Sequence, residues 1–305
     1  MTRVASIGEC MVELRQAPGG LYSRGFGGDT LNTAVYLARL GIKVDYVTAL
    51  GDDTLSNEMI SGWQAEGVGT GRVVRLKGKL PGIYMIETDA KGERKFFHWR
   101  ESAAARRLMH LPETDAILQS FAGYELVYLS AITLSIYDDA GRTRLLDGLR
   151  AARQRGARVA FDTNFRARGW PDLDVARSVY GRAFAAADIV LASTEDLTPL
   201  YSGESADHLM ERIPAGEIVF KLAEPKSIVR VEGGVHTVTA NPLTQPVVDT
   251  TAAGDSFAAA YLAARLNGAD PVAAARSGHA LAGHVVCYPG AIIPRGAMPV
   301  IGNRG

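Results

Sequence analysis

Short β-type runs alternate with longer helical patterns along this sequence, and the alternation is what most limits the folds open to it. Strands that alternate with helices form mostly parallel sheets covered by helices on both faces. The sequence therefore predicts an α/β fold with a mostly parallel central sheet. The predicted strands are 3–9, 43–51, 124–131, 158–165 and 187–193, and the predicted helices are 29–41, 53–67, 138–155 and 174–186.

Two segments, 11–27 and 74–101, interrupt the alternation with strand-like patterns and turn residues. In the second segment, ETDAKGER (87–94) predicts a hairpin turn. We expect both segments to form a small separate sheet that acts as a lid on a single domain spanning 1–305; the alternative is that they are edge strands of the main sheet. The terminal GNRG is expected to be disordered.

The composition argues against several classes of partner. Lys plus Arg equals Asp plus Glu at 33 each, so no net charge favours nucleic acid or an anionic membrane. No run reaches the roughly 18 apolar residues of a membrane span, and the N-terminus lacks a leader pattern. Cys10 and Cys287 have no metal-binding or redox spacing, which is typical of free thiols in a reducing compartment. We therefore expect a cytoplasmic protein.

The stretch DTTAAGDSF (249–257) is the strongest candidate for chemistry, since no Walker-type loop, GxGxxG after a strand, or HExxH occurs. The small residues Ala252, Ala253 and Gly254 let a ligand approach the backbone, and a following helix start offers unpaired N–H groups that suit an anion. Beside such a site, Asp255 could remove a proton from a hydroxyl that attacks a phosphoryl group. The alternative is that Asp255 only caps its helix.

The sequence resembles the PfkB (ribokinase-like) carbohydrate kinase family over essentially its full length. DTTAAGDSF (249–257) is similar to the family's C-terminal signature, and GGDTLNTAVYLARLG (27–41), with Gly51 ten residues on, is similar to its N-terminal signature. The two lie about 220 residues apart, in the expected order. The resemblance implies a ribokinase-like three-layer sandwich with a small β-sheet lid.

Within the family, several motifs resemble the subgroup that phosphorylates a sugar acid, 2-dehydro-3-deoxy-D-gluconate. The resemblance implies phosphorylation of its 6-hydroxyl by ATP with Mg²⁺. It also allows a monovalent cation as a further cofactor. The expected partners are the sugar acid, ATP and further copies of the chain in a homo-oligomer. The motifs are GECMVEL (8–14), GGDTLN (27–32), FHWRESAAAR (97–106), DTNFR (162–166) and DTTAAGDSF (249–257).

The resemblance also implies the catalytic and sugar-binding residues. Asp255 matches the general base, Ala253 and Gly254 match the anion hole, and Arg166 matches an arginine that binds substrate or transferred phosphate. Arg100, on a predicted lid strand, would grip the sugar carboxylate with its guanidinium fork, the alternative being an exposed strand arginine. Asp255 would also contact the sugar. The other substrate-binding positions are Gly27, Gly28, Asp29, Asn32, Tyr84 and His98.

Matching positions also imply a nucleotide site. Glu195 would support the metal through water, whereas Gly283 could instead serve only close helix packing. Two features depart from the family pattern: Ala192 stands where an asparagine is common, and LAEPKS (222–227) replaces a glycine-rich turn. The implied nucleotide-binding residues are Ser193, Glu195, Lys221, Ala253, Gly254 and Gly283.

Two other functions stay open at this point. A fructokinase or ribokinase would act on a neutral sugar and would not need Arg100 and Arg166 in one pocket. A sugar-binding regulator would keep the fold without phosphotransfer, which the departures at Ala192 and 222–227 would permit.

Overall fold

The computed structural model describes residues 3–88 and 94–300. Within these residues the chain forms thirteen strands and ten α-helices. The strands are β1 (Arg3–Ile7), β2 (Met11–Ala17), β3 (Leu21–Gly27), β4 (Lys43–Gly51), β5 (Gly69–Leu76), β6 (Ile83–Thr88), β7 (Arg94–Trp99), β8 (Leu126–Ser130), β9 (Arg158–Asp162), β10 (Ile189–Ser193), β11 (Glu217–Lys221), β12 (Lys226–Val231) and β13 (Gly234–Thr239). The helices are α1 (Asp29–Arg39), α2 (Thr54–Ala65), α3 (Thr114–Ser120), α4 (Ala131–Ser135), α5 (Asp139–Gln154), α6 (Leu173–Ala186), α7 (Thr194–Leu200), α8 (Ala206–Glu211), α9 (Ala253–Leu266) and α10 (Pro271–Val285).

A nine-stranded sheet forms the centre of the molecule, in the order β13-β12-β11-β10-β9-β8-β1-β4-β5. The strands from β11 to β5 are parallel, while β12 and β13 are antiparallel at one edge. The five predicted strands are β1, β4, β8, β9 and β10, so the mostly parallel sheet is confirmed. Open sheets of this kind bind ligands beyond the carboxyl ends of their strands.

Helices cover both faces of this sheet, which confirms the three-layer sandwich. One apolar cluster joins the sheet to α1, α2, α9 and α10, and a second joins it to α3, α5 and α6 on the other face. In α1 the predicted apolar side chains Leu31, Val35 and Leu37 are buried, because they recur on the helix face turned toward the sheet. The four predicted helices are α1, α2, α5 and α6.

A second, four-stranded sheet has the order β3-β2-β6-β7 and consists of residues from both interrupting segments. Residues 74–76 were predicted to belong to this separate sheet, and that prediction was wrong. They end β5 and pair with β4 in the large sheet. Strands β6 and β7 are antiparallel, as a hairpin requires, but 89–93 of its predicted turn lie outside the described residues, as does the GNRG tail. We call this four-stranded unit the small sheet.

Polar contacts fix the small sheet against the rest of the protein. Arg24 of β3 pairs with Glu58 of α2 at 2.6 Å, and Arg15 of β2 pairs with Asp249 at 3.2 Å. The Phe96 carbonyl of β7 accepts a hydrogen bond from Arg168 at 3.3 Å. Since Arg168 follows β9, this last contact places the small sheet next to the carboxyl end of a central strand.

Two further sequence expectations concern the cysteines and membrane spans. Both cysteine thiols are free, as predicted, with Cys10 buried and Cys287 only partly buried. Among the helices of residues 3–88 and 94–300, none combines the length and apolar character needed to cross a bilayer.

Candidate active site

Helix α9 begins without the side-chain cap that other helices of this protein have. In those helices an aspartate accepts a hydrogen bond from an N–H group of the first turn, which satisfies a donor that the helix itself cannot use. Ala252 occupies the cap position of α9 and offers no such acceptor. No capping side chain therefore occupies the start of α9, which leaves room for an outside anion. The helices capped by aspartate are α2 (Asp53), α5 (Asp138), α6 (Asp172) and α10 (Asp270).

The backbone of this turn is unusual at Ala252, whose φ of 60° lies in the left-handed region that disfavours side chains. The first helical hydrogen bond runs from the Ser256 amide to the Ala252 carbonyl at 2.9 Å. The Gly254 and Asp255 amides thus precede the helical ladder, whereas the Ala253 amide donates to the Thr250 carbonyl at 3.2 Å. Of the two predicted anion-hole positions, Gly254 keeps its amide out of this local turn bonding and Ala253 does not.

The carboxylate of Asp255 faces the first signature segment. Its Oδ2 accepts a hydrogen bond from Asn32 Nδ2 of α1 at 2.8 Å. Thr33 Oγ1, one residue further along α1, donates to the Asp255 carbonyl at 3.2 Å. Asp255 occupies the third position of α9 rather than its cap, so the capping interpretation is wrong. The two signatures meet at this residue.

The surroundings of Asp255 favour its neutral form. Burial, followed by the negative charge of Asp29, raises the pKa of Asp255 well above its usual range, and Asp162 adds to this. The Asn32 hydrogen bond and the Lys221 charge oppose the shift without cancelling it. A carboxylate with a raised pKa binds a proton more tightly than an ordinary aspartate does, which suits a general base.

Lys221 places a positive charge beside the uncapped turn. A Cβ atom on Gly254 would lie 3.5 Å from Lys221 Nζ, and the same Nζ is 3.7 Å from Asp162 Oδ2. Asp162 is nearly fully buried, and burial raises its pKa to about 6 against the opposing charge of Lys221. The lysine therefore lies where it can contact both an anion on the turn and the carboxylate at the end of β9.

The glycines of the first signature make room for close neighbours. A Cβ on Gly28 would overlap the Glu9 carbonyl, and a Cβ on Gly27 would overlap the Tyr84 hydroxyl. Asp29 follows directly and accepts a hydrogen bond from Asn164 Nδ2 at 2.8 Å. The first signature and the end of β9 are thus joined by side chains.

Asn32 and Glu9 each carry a buried oxygen atom without a partner. Both side chains are about 5% exposed or less, and neither Asn32 Oδ1 nor Glu9 Oε1 has a hydrogen-bond partner within residues 3–88 and 94–300. Buried acceptors are almost always satisfied in folded proteins, so such atoms indicate a place for a hydroxyl-bearing ligand or water.

Arg100 lies just after a strand rather than on one, and it is only partly exposed, so the alternative of an exposed strand arginine is wrong. It follows β7, its side chain is 18% exposed, and its Nε lies 2.8 Å from Oε2 of Glu9. Burial raises the pKa of Glu9, with Arg100 opposing the shift. Sequence reasoning missed Glu9, since nothing in its local pattern marks it as the partner of a residue 91 positions away.

Tyr84 and His98 lie side by side on the small sheet. They are paired across β6 and β7, and their rings stack with centroids 6.0 Å apart. The Tyr84 hydroxyl donates to Glu13 of β2. Burial, Arg100 and Arg168 lower the pKa of the His98 imidazole, which favours its neutral form near pH 7.

Arg166 follows β9 as predicted, but its side chain is 61% exposed. Its Nη1 donates to the Phe165 carbonyl at 2.7 Å and lies 3.5 Å from Asp196 Oδ1. Arg100 and Arg166 therefore have different carboxylate partners, Glu9 and Asp196.

Asp196 is a buried residue that sequence reasoning missed. Its carboxylate accepts hydrogen bonds from Thr163 Oγ1 at 2.9 Å, the Phe165 amide at 3.0 Å and Ser193 Oγ at 2.7 Å. It thereby holds the ends of β9 and β10 together. The available signal was the spacing Ser193-x-x-Asp196 at a helix start, which is that of a capping box.

The predicted nucleotide residues gather only in part. Ser193 and Lys221 are register partners at the ends of β10 and β11, and Glu195 is exposed in the first turn of α7. A Cβ on Gly283 would come within 2.9 Å of Leu243 Cδ2, the end of a side chain that is itself exposed. Within the described chain, no group of three or more His, Cys, Asp or Glu side chains could hold a metal ion.

Comparisons with known proteins agree with this arrangement. The chain is 46% identical to the 2-dehydro-3-deoxygluconokinase of Dickeya dadantii, over 97% of this chain and 98% of that protein. It is 42% identical to the 2-dehydro-3-deoxygluconokinase of Escherichia coli K12, over 97% and 99%. A crystal structure of the fructokinase of Xylella fastidiosa with bound ATP superposes with a TM-score of 0.84 at 26% identity, over 97% of this chain and 95% of that one.

A family model described as pfkB family carbohydrate kinase matches residues 1–297. The two segments that resemble the family's signatures are those that the structure brings together at Asn32 and Asp255. The chain belongs to the pfkB family of carbohydrate kinases.

Proposed function

We propose that this protein transfers the γ-phosphoryl group of ATP to the 6-hydroxyl of 2-dehydro-3-deoxy-D-gluconate, giving 2-dehydro-3-deoxy-6-phospho-D-gluconate. The observation that carries the proposal is the Asp255 carboxylate beside an uncapped helix start. The sugar acid is taken from the names of relatives that are 46% and 42% identical over nearly the whole chain.

Asp255 is the proposed general base. It accepts the proton of the 6-hydroxyl as that oxygen attacks the γ-phosphorus, and its raised pKa makes it a stronger acceptor than an ordinary aspartate. Asn32 donates a hydrogen bond to one carboxylate oxygen, Oδ2, which fixes the side chain and leaves Oδ1 for the sugar. Positioning of this kind supplies much of the catalysis in phosphoryl transfer.

The charge that develops on the transferred phosphoryl group is stabilised by the turn before α9. The free amides of Gly254 and Asp255 donate to it, and Ala253 contributes a backbone without bulk. Lys221 adds a positive charge from the neighbouring strand end. Arg166 is exposed in this structure and would approach the phosphate only when the nucleotide is bound.

The nucleotide would lie along the ends of β10 and β11, against Ser193 and Lys221, and the sequence resemblance adds Gly283 to its site. Magnesium would neutralise phosphate charge, and the residues present fit an ion held mainly by phosphate oxygens and water, since Mg²⁺ usually keeps several waters in such sites. Glu195, with an exposed carboxylate, would reach that ion through water. The proposal also allows a monovalent cation as a second ionic cofactor beside magnesium.

The sugar acid would lie between the first signature and the small sheet. Gly27 and Gly28 provide space, while Asp29, Asn32 and Tyr84 present hydrogen-bonding groups to its hydroxyls. His98, in its neutral form, can donate one hydrogen bond. Arg100 would bind the sugar carboxylate, because the raised pKa of Glu9 weakens the competing ion pair.

Two further properties belong to this proposal. A cytoplasmic location is supported by the two free thiols, which are typical of a reducing compartment. A homo-oligomer is supported by large apolar side chains that the small sheet leaves exposed. These are Leu21, Tyr22, Phe96, Phe97 and Trp99.

The first prediction concerns the substrate. With ATP and Mg²⁺, we expect kcat/KM for 2-dehydro-3-deoxy-D-gluconate to exceed that for D-fructose or D-ribose by at least about 10²-fold. The reason is that a site with buried polar groups rejects a substrate that leaves those groups without partners. A coupled ADP assay measures the rates, and ³¹P NMR identifies a phosphate on a primary carbon. Comparable rates on a neutral sugar would indicate a fructokinase or ribokinase, and sugar binding without turnover would indicate a regulator.

The second prediction concerns the base. Asp255→Asn keeps the size of the side chain and an acceptor for Asn32 but cannot take up the proton. We expect kcat to fall about 10²-fold or more, with binding of ATP and the sugar acid nearly unchanged in calorimetry. Turnover within a few-fold of the wild-type value would refute the assignment.

The third prediction concerns the sugar carboxylate. Arg100→Ala should raise KM for the sugar acid at least about tenfold, the scale of a lost charged hydrogen bond, while KM for a slow neutral sugar changes little. Arg168→Ala is the matched control, because this arginine contacts the small sheet through Phe96 without facing Glu9. Equal changes in KM for acid and neutral sugars would remove the carboxylate role.

A further inference from the structure

An ion pair links the small sheet to the signature that contains Asp255. Arg15 lies in β2, between Ser23 of β3 and Ile86 of β6. Its Nη1 reaches Asp249 Oδ2 at 3.2 Å, across 234 residues of sequence. Asp249 is the first residue of the stretch 249–254, which we call the phosphate turn.

Asp249 shapes the phosphate turn with its side chain. Oδ1 accepts hydrogen bonds from the Thr251 amide at 2.9 Å and from Thr251 Oγ1 at 2.6 Å. Oδ2, which faces Arg15, also accepts from the Gly290 amide at 3.0 Å. The carboxylate therefore fixes the residue just before Ala252, whose left-handed backbone begins α9.

This turn needs support from its surroundings. A left-handed conformation at a residue with a side chain is strained and persists only where neighbouring contacts impose it. Asp249 is 6% exposed, and a buried carboxylate without a nearby positive charge is costly. Arg15 brings a positive charge to within 3.2 Å of this carboxylate from another part of the molecule.

The same arginine is linked to the proposed sugar site through Glu13 and Tyr84. Arg15 Nε lies 3.3 Å from Oε1 of Glu13, and Oε2 of Glu13 accepts the hydrogen bond of the Tyr84 hydroxyl. Tyr84 packs against Gly27 of the first signature. A continuous set of contacts thus runs from Tyr84 through Glu13, Arg15 and Asp249 to the phosphate turn.

We propose that Arg15 is a positioning residue: it holds the phosphate turn through Asp249, so that the small sheet helps to set the geometry of phosphoryl transfer. Arg15 does not touch the reacting atoms. Its loss would remove a positively charged partner of Asp249 and leave the turn less constrained, which misplaces the Gly254 and Asp255 amides. The inference rests on the phosphoryl transfer proposed above.

The test compares Arg15→Met with Arg24→Met. Both arginines join the small sheet to the main body, but Arg24 pairs with Glu58 on α2, away from the phosphate turn. We expect Arg15→Met to lower kcat about tenfold or more, because misplacement of about 1 Å can cost that much. KM for the sugar acid should change less than about threefold, and Arg24→Met should stay within about twofold of wild type in both constants.

Rates are normalised to the folded fraction measured by circular dichroism at the assay temperature. Arg15→Lys, which keeps the charge, should recover part of the lost kcat. The double variant Arg15→Met with Asp249→Asn should lose less than the product of the two single losses, because residues in contact are coupled. The lysine and double variants also serve as the test if Arg15→Met does not fold.

Equal effects of Arg15→Met and Arg24→Met, or multiplicative losses in the double variant, would overturn the inference. Such a result would leave Arg15 as a simple structural contact. Absence of turnover in the wild-type protein would instead refute the proposed function, so the two failures are distinguishable.

Discussion

The contact between α1 and α9 is the constraint on which the rest of the site depends. Asn32 Nδ2 lies 2.8 Å from Asp255 Oδ2, and Thr33 Oγ1 lies 3.2 Å from the carbonyl of the same aspartate. The approach is possible because α9 is rich in alanine and buried on all sides from Ser256 to Ala264. A helix without an exposed face over Ser256 to Ala264 cannot shift without breaking the core, so α9 is held firmly against α1.

This rigid position has an electrostatic cost. Asp29, Asp162 and Asp255 converge at the carboxyl ends of the strands, where burial and mutual repulsion raise the pKa of Asp255. Lys221 reduces the repulsion without removing it. Crowding these carboxylates together lowers the stability of the folded protein. Such a cost is consistent with a proton-transfer site, since an aspartate that is fully ionised at no cost would be a weaker base.

The fold was largely predictable because its signals are local. The predicted strands at 43–51 and 187–193 appear as Lys43–Gly51 and Ile189–Ser193, since apolar runs between turn residues decide burial without reference to distant parts of the chain. The segment 74–76 was misassigned for the same reason, because a strand pattern does not state which sheet it joins.

The site was predictable only where a signature marks it. Asp255 and Asn32 belong to recognisable segments, and the structure brings them together. Glu9, Arg15 and Asp196 were missed as partners, because each acts through contacts with residues far away in sequence. The left-handed backbone of Ala252 could not be predicted either, since alanine normally disfavours it and only tertiary contacts impose it.

The measurement that tests this account most directly is the titration of the Asp255 carboxyl in the ligand-free protein. Its ¹³C resonance is followed by NMR between pH 4 and 9 and is identified by its absence from Asp255→Asn. Because burial and the charge of Asp29 disfavour the ionised form, the midpoint should lie well above about 4, the usual value for aspartate, and should fall in Asp29→Asn. A midpoint near the usual value, unchanged in Asp29→Asn, would contradict the account.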